Sequence, residues 1–188
     1  MVTDLNQAML DHAVTRQGAD SRIEWRQADA LALPFEDASF DVVCCQFGAM
    51  FFPDRVAGYA EARRVLRPGG RFVFNVWDRI EENAFADDVT NAVATVFPHD
   101  PPRFLARTPH GYHDVALIRE EVSRAGFTDI AIETREKASR ASSARDSPLP
   151  IARERRCATK SRRATPACFS SLRTARRKRS PAAVAKAR

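Results

Sequence analysis

The sequence predicts an α/β chain, a largely parallel sheet with helices on both faces. Three observations carry that reading. Residues 40–47, Phe-Asp-Val-Val-Cys-Cys-Gln-Phe, are apolar at the centre without alternation, which suits a strand buried on both faces. A second strong strand pattern at 71–77, Arg-Phe-Val-Phe-Asn-Val-Trp, follows a helical apolar stripe at 55–66. Strands separated by helices in this way imply βαβ units, whose crossovers leave neighbouring strands parallel.

Residues 2–4 read as the end of a strand. Leu5, Met9 and Ala13 then recur at helical spacing, with Leu10 on the same face and Asp4 or Asn6 as cap. Residues 23–27 alternate as a strand, and 31–38 form a loop with Pro34. In the helix at 55–66 the stripe is Val56, Tyr59, Ala60, Ala62, Val65 and Leu66, closed by the turn Pro68-Gly69-Gly70. A helix is expected at 84–97, stopped by Pro98, then a proline-rich irregular stretch up to His113. A helix at 115–125 ends at Gly126, and 128–134 alternate as a last strand. No internal repeat is visible.

The chain has 188 residues, 44% of them hydrophobic, enough for one domain with a core. No apolar run reaches the roughly 20 residues that span a bilayer. Residues 1–11 carry acids and no basic segment, so no signal peptide is expected and the default location is the cytoplasm. Cys44 and Cys45 read as small core residues. Neither they nor Cys157 and Cys168 make a ligand spacing, so no metal is expected. Residues 147–188 hold 13 Lys or Arg against one acid, Glu154, whereas the rest of the chain is net acidic. This shift divides the chain into a folded domain over 1–140 and a basic, disordered tail over 141–188.

Four segments, in order, resemble the class I S-adenosylmethionine-dependent methyltransferases, and within them those of ubiquinone and menaquinone synthesis. Val2-Thr3-Asp4-Leu5 with the helix after it resembles the end of the family's second strand. Gln27-Ala28-Asp29-Ala30 with Leu33-Pro34-Phe35 resembles the loop after the third. Phe40-Asp41-Val42-Val43 with Gln46-Phe47 resembles the fourth, and Glu61 to Arg71 the helix and turn before the fifth. The resemblance implies a Rossmann-like sheet, S-adenosylmethionine as cofactor and a small-molecule methyl acceptor. It gives Asp4 the ribose hydroxyls, Leu5 an apolar face for the adenine, Asp29 the adenine amino group and Ala30 a backbone contact to the ring. Gln46 and Phe47 would face the methionine part. Taken singly, Asp4 reads as a helix cap, Asp29 as a turn residue, and Phe47, Phe51 and Phe52 as packing.

In that family a strand and a Gly-x-Gly-x-Gly loop precede the segment that starts here at Val2. None of the seven glycines forms such a loop, so an incomplete sheet with unpaired edges and poor cofactor affinity is expected. The tail departs from the family pattern too, as an out-of-frame continuation would. No catalytic residue is assigned. His110, Tyr112 and His113 sit in a loop that could lie over a substrate, but read first as exposed polar residues. Three other readings compete: a nucleotide- or NAD-binding protein with a similar sheet, an inactive methyltransferase fragment, and a module whose Arg176-Arg177-Lys178-Arg179 cluster attracts nucleic acid non-specifically. The oligomeric state is not legible.

Overall fold

The computed structural model describes residues 1–138 and the backbone of residues 177–186. The expected boundary near residue 141, the cysteines of the tail and the tail up to residue 176 lie outside the described residues. Strand β1 (Val2–Asp4) leads into α1 (Gln7–Gln17). The Asn6 side chain caps α1 by accepting from the Ala8 amide at 3.0 Å. Strand β2 (Trp25–Gln27) pairs parallel with β1, from Val2 opposite Trp25 to Asp4 opposite Gln27.

The second sheet begins with β3 (Phe40–Gln46), parallel to β4 (Leu66–Asn75) across the helix α2 (Arg55–Val65). Asp54 caps α2 through the Ala57 amide. The strand β4 begins at Leu66, ahead of the expected residue 71, because Pro68-Gly69-Gly70 is absorbed as an irregularity in the ladder. Phe40 faces Leu66, but Val42 already faces Arg71. Gly69 takes φ 79°, and a side chain on Gly70 would come within 2.8 Å of the Arg67 carbonyl oxygen. After β4 come α3 (Ala84–Val96), the single-turn α4 (Phe104–Arg107), α5 (Val115–Arg124) and β5 (Asp129–Ala138). Each expected helix and strand is present, with ends moved by a few residues.

The tail holds a departure. Arg177–Lys186 forms β6, antiparallel to both β4 and β5, where no element was expected. The order in this sheet is β3-β4-β6-β5. An Ala-Ala-Val-Ala run has no marked strand propensity, so a slot between two strands, and not local sequence, defines this element.

The core lies where α2 and α5 pack on β4. Tyr59, Phe72, Phe74 and Phe127 form one aromatic stack, with ring centroids 5.1–5.6 Å apart along the chain of contacts. Ala62 and Leu66 close it from the α2 side, Ile118 and Val122 from α5. Two expectations fail on β3 and beside it. Cys44 is exposed, Val42 is 52% exposed and Phe51 51% exposed. Among the described residues β3 pairs on one flank only, so its apolar sequence meets less cover than it is built for. β1 likewise pairs on one flank, and Leu5 and Met9 beside it are exposed.

One ion pair ties the two core helices. Arg55 on α2 grips Glu121 on α5 with two hydrogen bonds of 2.7 and 3.0 Å, and its guanidinium lies 4.2 Å from the centre of the Tyr112 ring. Tyr59 donates to the Tyr112 hydroxyl oxygen at 3.0 Å, and burial pushes both phenols up. Burial works against the Glu121 carboxylate, yet the Arg55 guanidinium holds it below its ordinary 4.5. A carboxylate lowered by folding adds stability that is complete above pH 4.5 and is lost as pH falls through the lower, folded value. Urea titrations of the wild type and of Glu121→Gln should therefore differ most near neutrality, and the difference should shrink in acid. A gap that is constant with pH would contradict the pairing.

Candidate functional site

In an open α/β sheet the C-terminal ends of parallel strands form the ligand-binding rim. Asp4 is the last residue of β1, and Asp29 follows two residues after the end of β2. Because β1 and β2 are parallel and in register, both carboxylates reach the same rim, and the Ala28 amide bonds to the Asp4 carbonyl oxygen at 3.1 Å. Each carboxylate folds its own turn with one oxygen. Asp4 Oδ1 accepts from the Asn6 amide at 2.8 Å, and Asp29 Oδ1 from the Leu31 amide at 2.9 Å. Both residues are exposed, and Oδ2 of each accepts no hydrogen bond among the described residues. Asp29 thus has the turn role read for it singly, whereas Asp4, read singly as a helix cap, leaves the cap of α1 to Asn6 and folds the turn before it; each keeps a spare acceptor.

Leu5 stands beside Asp4, 66% exposed, and offers an apolar surface next to the two acceptors. Ala30 follows Asp29 and is half-buried. The segment after Asp29 is held from α2. Arg64 donates to the Leu33 and Phe35 carbonyl oxygens at 2.9 and 2.8 Å, and Glu61 accepts from the Leu33 amide at 2.8 Å. Arg64 in turn holds the Glu61 carboxyl below its usual range. The Glu-Ala-Arg-Arg run of α2 therefore braces the loop that carries Asp29 and Ala30. Asp41, read as structural, pairs with Arg67 at 2.8 Å at the N-terminal ends of β3 and β4, away from the rim.

Gln46 and Phe47 lie at the C-terminal end of β3, on the rim of the second sheet. Gln46 is exposed. Phe47 takes φ 51°, a left-handed backbone, and its amide reaches both the carbonyl and the side-chain oxygen of Asn75 at 3.2 Å. Its ring stacks on Trp77 at 4.0 Å between centroids and 15° between planes. A strained backbone held by two acceptors fixes this aromatic pair at the rim.

The loop before α5 corrects an expectation. His110 and Tyr112 are buried, 6% and 3% exposed, not exposed polar residues. The reason is bonding to distant segments of the chain. His110 Nδ1 lies 2.8 Å from the Asp78 carbonyl oxygen just beyond β4, and Tyr112 joins the Tyr59 and Arg55 network. His113 Nδ1 is 2.9 Å from the His110 carbonyl oxygen. Asn83, which the sequence reading passed over, reaches the same Asp78 carbonyl oxygen at 3.0 Å. An Asn immediately before a predicted helix was the signal available for it. Among the described residues no group of His, Cys, Asp or Glu could hold a metal ion, and no helix is long and apolar enough to cross a membrane.

Residues 1–74 match the methyltransferase domain family. The chain is 49% identical over 72 residues to a demethylmenaquinone methyltransferase of Deinococcus radiodurans, covering 38% of this chain and 30% of that protein. It is 42% identical over 143 residues to a ubiquinone/menaquinone biosynthesis C-methyltransferase of Acidiphilium cryptum, covering 70% of this chain and 57% of that one. The matched stretch thus spans less than two thirds of the length of these relatives. Among solved structures, a methyltransferase-like protein of Bacillus halodurans superposes with TM-score 0.59 at 19% identity, over 98% of this chain and 80% of that one. A phosphoethanolamine N-methyltransferase of Haemonchus contortus, solved with S-adenosylhomocysteine, superposes with TM-score 0.56 at 18% identity, over 98% of this chain and 43% of that one. These last two likenesses establish the fold.

Proposed function

We propose that this chain, which belongs with the class I S-adenosylmethionine-dependent methyltransferases by the sequence of residues 1–74 and by its fold, takes part in methyl transfer to a small hydroxylated aromatic acceptor of the quinol type. The observation that carries the cofactor assignment is the pair of spare Oδ2 atoms, on Asp4 and Asp29, at one rim. An adenosine presents donors that match them, two ribose hydroxyls and an amino group, and a flat apolar ring that suits Leu5. The cofactor would supply a sulfonium methyl group with a good leaving group attached.

The chain's own part in such a reaction is to position the reactants and exclude water. Asp4 and Asp29 would fix the adenosine, and Arg64 keeps the Asp29 loop from drifting. The rim at Gln46 and Phe47 would border the reacting end, with the Phe47–Trp77 stack forming a rigid apolar wall. Methylation of such an acceptor would release one proton from it. The acceptor class follows from the names of the two curated relatives, which concern quinones.

An NMR titration of the full chain with S-adenosylhomocysteine suits weak binding. The expected result is saturable shifts of the amides at 4–6 and 28–31. Shifts absent from both segments at millimolar ligand would sink the assignment. Transfer of a labelled methyl group to 1,4-dihydroxynaphthalene then tests the reaction itself.

A further inference from the structure

The peptide unit between Leu5 and Asn6 is held at both ends. Its N–H donates to Asp4 Oδ1 at 2.8 Å, and its carbonyl oxygen accepts from Gln27 Nε2 at 2.9 Å. Gln27 is the last residue of β2 and stands opposite Asp4 in the parallel register. Only the nitrogen end of a glutamine side chain can donate to a carbonyl, so this bond fixes which way the Gln27 amide faces. It joins β2 to the segment after β1 across 22 residues of sequence.

A peptide unit pinned at one end can turn about the torsions that flank it. Turned, it would take the Asn6 N–H away from Asp4, and the carboxylate would be free to change rotamer. With Gln27 in place, Oδ1 stays on the Asn6 amide and Oδ2 stays the spare acceptor of the rim. The same grip fixes the backbone of Leu5, whose side chain is 66% exposed. Gln27 is itself exposed, so its bond competes with water and adds little to folding stability. Its effect falls on recognition, because an acceptor already set in place loses no binding free energy to being ordered. Asp29 has separate support, since Arg64 and Glu61 hold its loop from α2.

We propose that Gln27 is a positioning residue, which acts through the Leu5 carbonyl to set the Asp4 carboxylate for the ribose hydroxyls of a bound nucleoside. The assignment rests on the adenosine reading of this rim for the nucleoside, and on the two hydrogen bonds of the Leu5–Asn6 peptide for the positioning.

The test records amide spectra of the full chain, labelled with nitrogen-15, as wild type, Gln27→Leu, Gln27→Asn and Gln27→Lys. Without ligand, the Asn6 amide proton should move upfield in Gln27→Leu and Gln27→Asn as its bond to Asp4 loosens. It should stay near its wild-type position in Gln27→Lys, whose longer side chain keeps a donor within reach of the Leu5 carbonyl. The same samples are then titrated with adenosine, 2′,3′-dideoxyadenosine and N6,N6-dimethyladenosine. Wild type should favour adenosine over the dideoxy compound by about tenfold or more, the worth of one charged hydrogen bond. Gln27→Leu should cut that preference below about threefold and keep the preference over the dimethyl compound, and Gln27→Lys should restore the first. A ribose preference undiminished in Gln27→Leu, or lost together with the amino-group preference, overturns the proposal. Gln27→Asn, too short to reach Leu5, decides the matter in the same way if Gln27→Leu fails to fold. Wild type that does not distinguish adenosine from the dideoxy compound removes the adenosine reading itself, whereas a wild-type preference that Gln27→Leu leaves intact removes the Gln27 assignment alone.

Discussion

Phe72→Ala is expected to lower the unfolding free energy by about 3–5 kcal/mol. The ring is 1% exposed and lies at the centre of the aromatic stack, touching Phe74 at 5.1 Å and Phe127 and Tyr59 at 5.6 Å. Its removal leaves a cavity walled by stiff rings, α2 on one side and α5 on the other, which cannot collapse to fill it. Domains of this size are stable by about 5–15 kcal/mol, so the variant should lose a third or more of its margin. Urea unfolding followed by circular dichroism measures it. Phe51→Ala is the matched control, because Phe51 is 51% exposed, and its change should stay within about 0.5 kcal/mol. Equal losses in the two variants would mean that the stack is not the core.

Period and punctuation made most of the architecture legible. The stripe on α2 and the unbroken apolar run of β3 are local patterns that survive into the fold. What was hidden depended on contacts between distant segments. His110 looks like any loop histidine until the Asp78 carbonyl, 32 residues away, is placed against its ring. Tyr112 and Glu121 carry no mark of the Arg55 pairing that buries them, since the partners are far apart along the chain. β6 is the extreme case, since its ten residues pair along β5, five of them along β4 as well, and carry no period of their own.

The exposure of β3 has a related cause. Parallel strands with helices on both faces tolerate apolar residues on each side, so the sequence reports the environment for which the strand is suited. Val42 and Cys44 keep that signature while one flank of their strand is unpaired among the described residues. Asp4 and Asp29 were singled out through the family resemblance, and the register of β1 against β2 brings them to one rim. Their spare oxygens could not be read from sequence, because the same residue types serve turns with one oxygen or both.

The two carboxylates should separate in a binding experiment, and the separation is a sharper test than loss of affinity alone. Asp4→Ser keeps an acceptor for the Asn6 amide, which Asp4 bonds at 2.8 Å, but removes the second oxygen and the charge. A charged hydrogen bond to a ribose hydroxyl contributes about 1.5–3 kcal/mol, so affinity for adenosine should fall roughly 10- to 150-fold. The same variant should no longer distinguish adenosine from 2′,3′-dideoxyadenosine, whereas the wild type prefers adenosine. Asp29→Ser should keep that preference and lose the one between adenosine and its N6,N6-dimethyl derivative, which cannot donate from the amino group. Each substitution thus erases discrimination at its own end of the nucleoside. If both variants weakened the three compounds alike, the carboxylates would be acting on the turns at 4–6 and 29–31, and the adenosine assignment would fall with them.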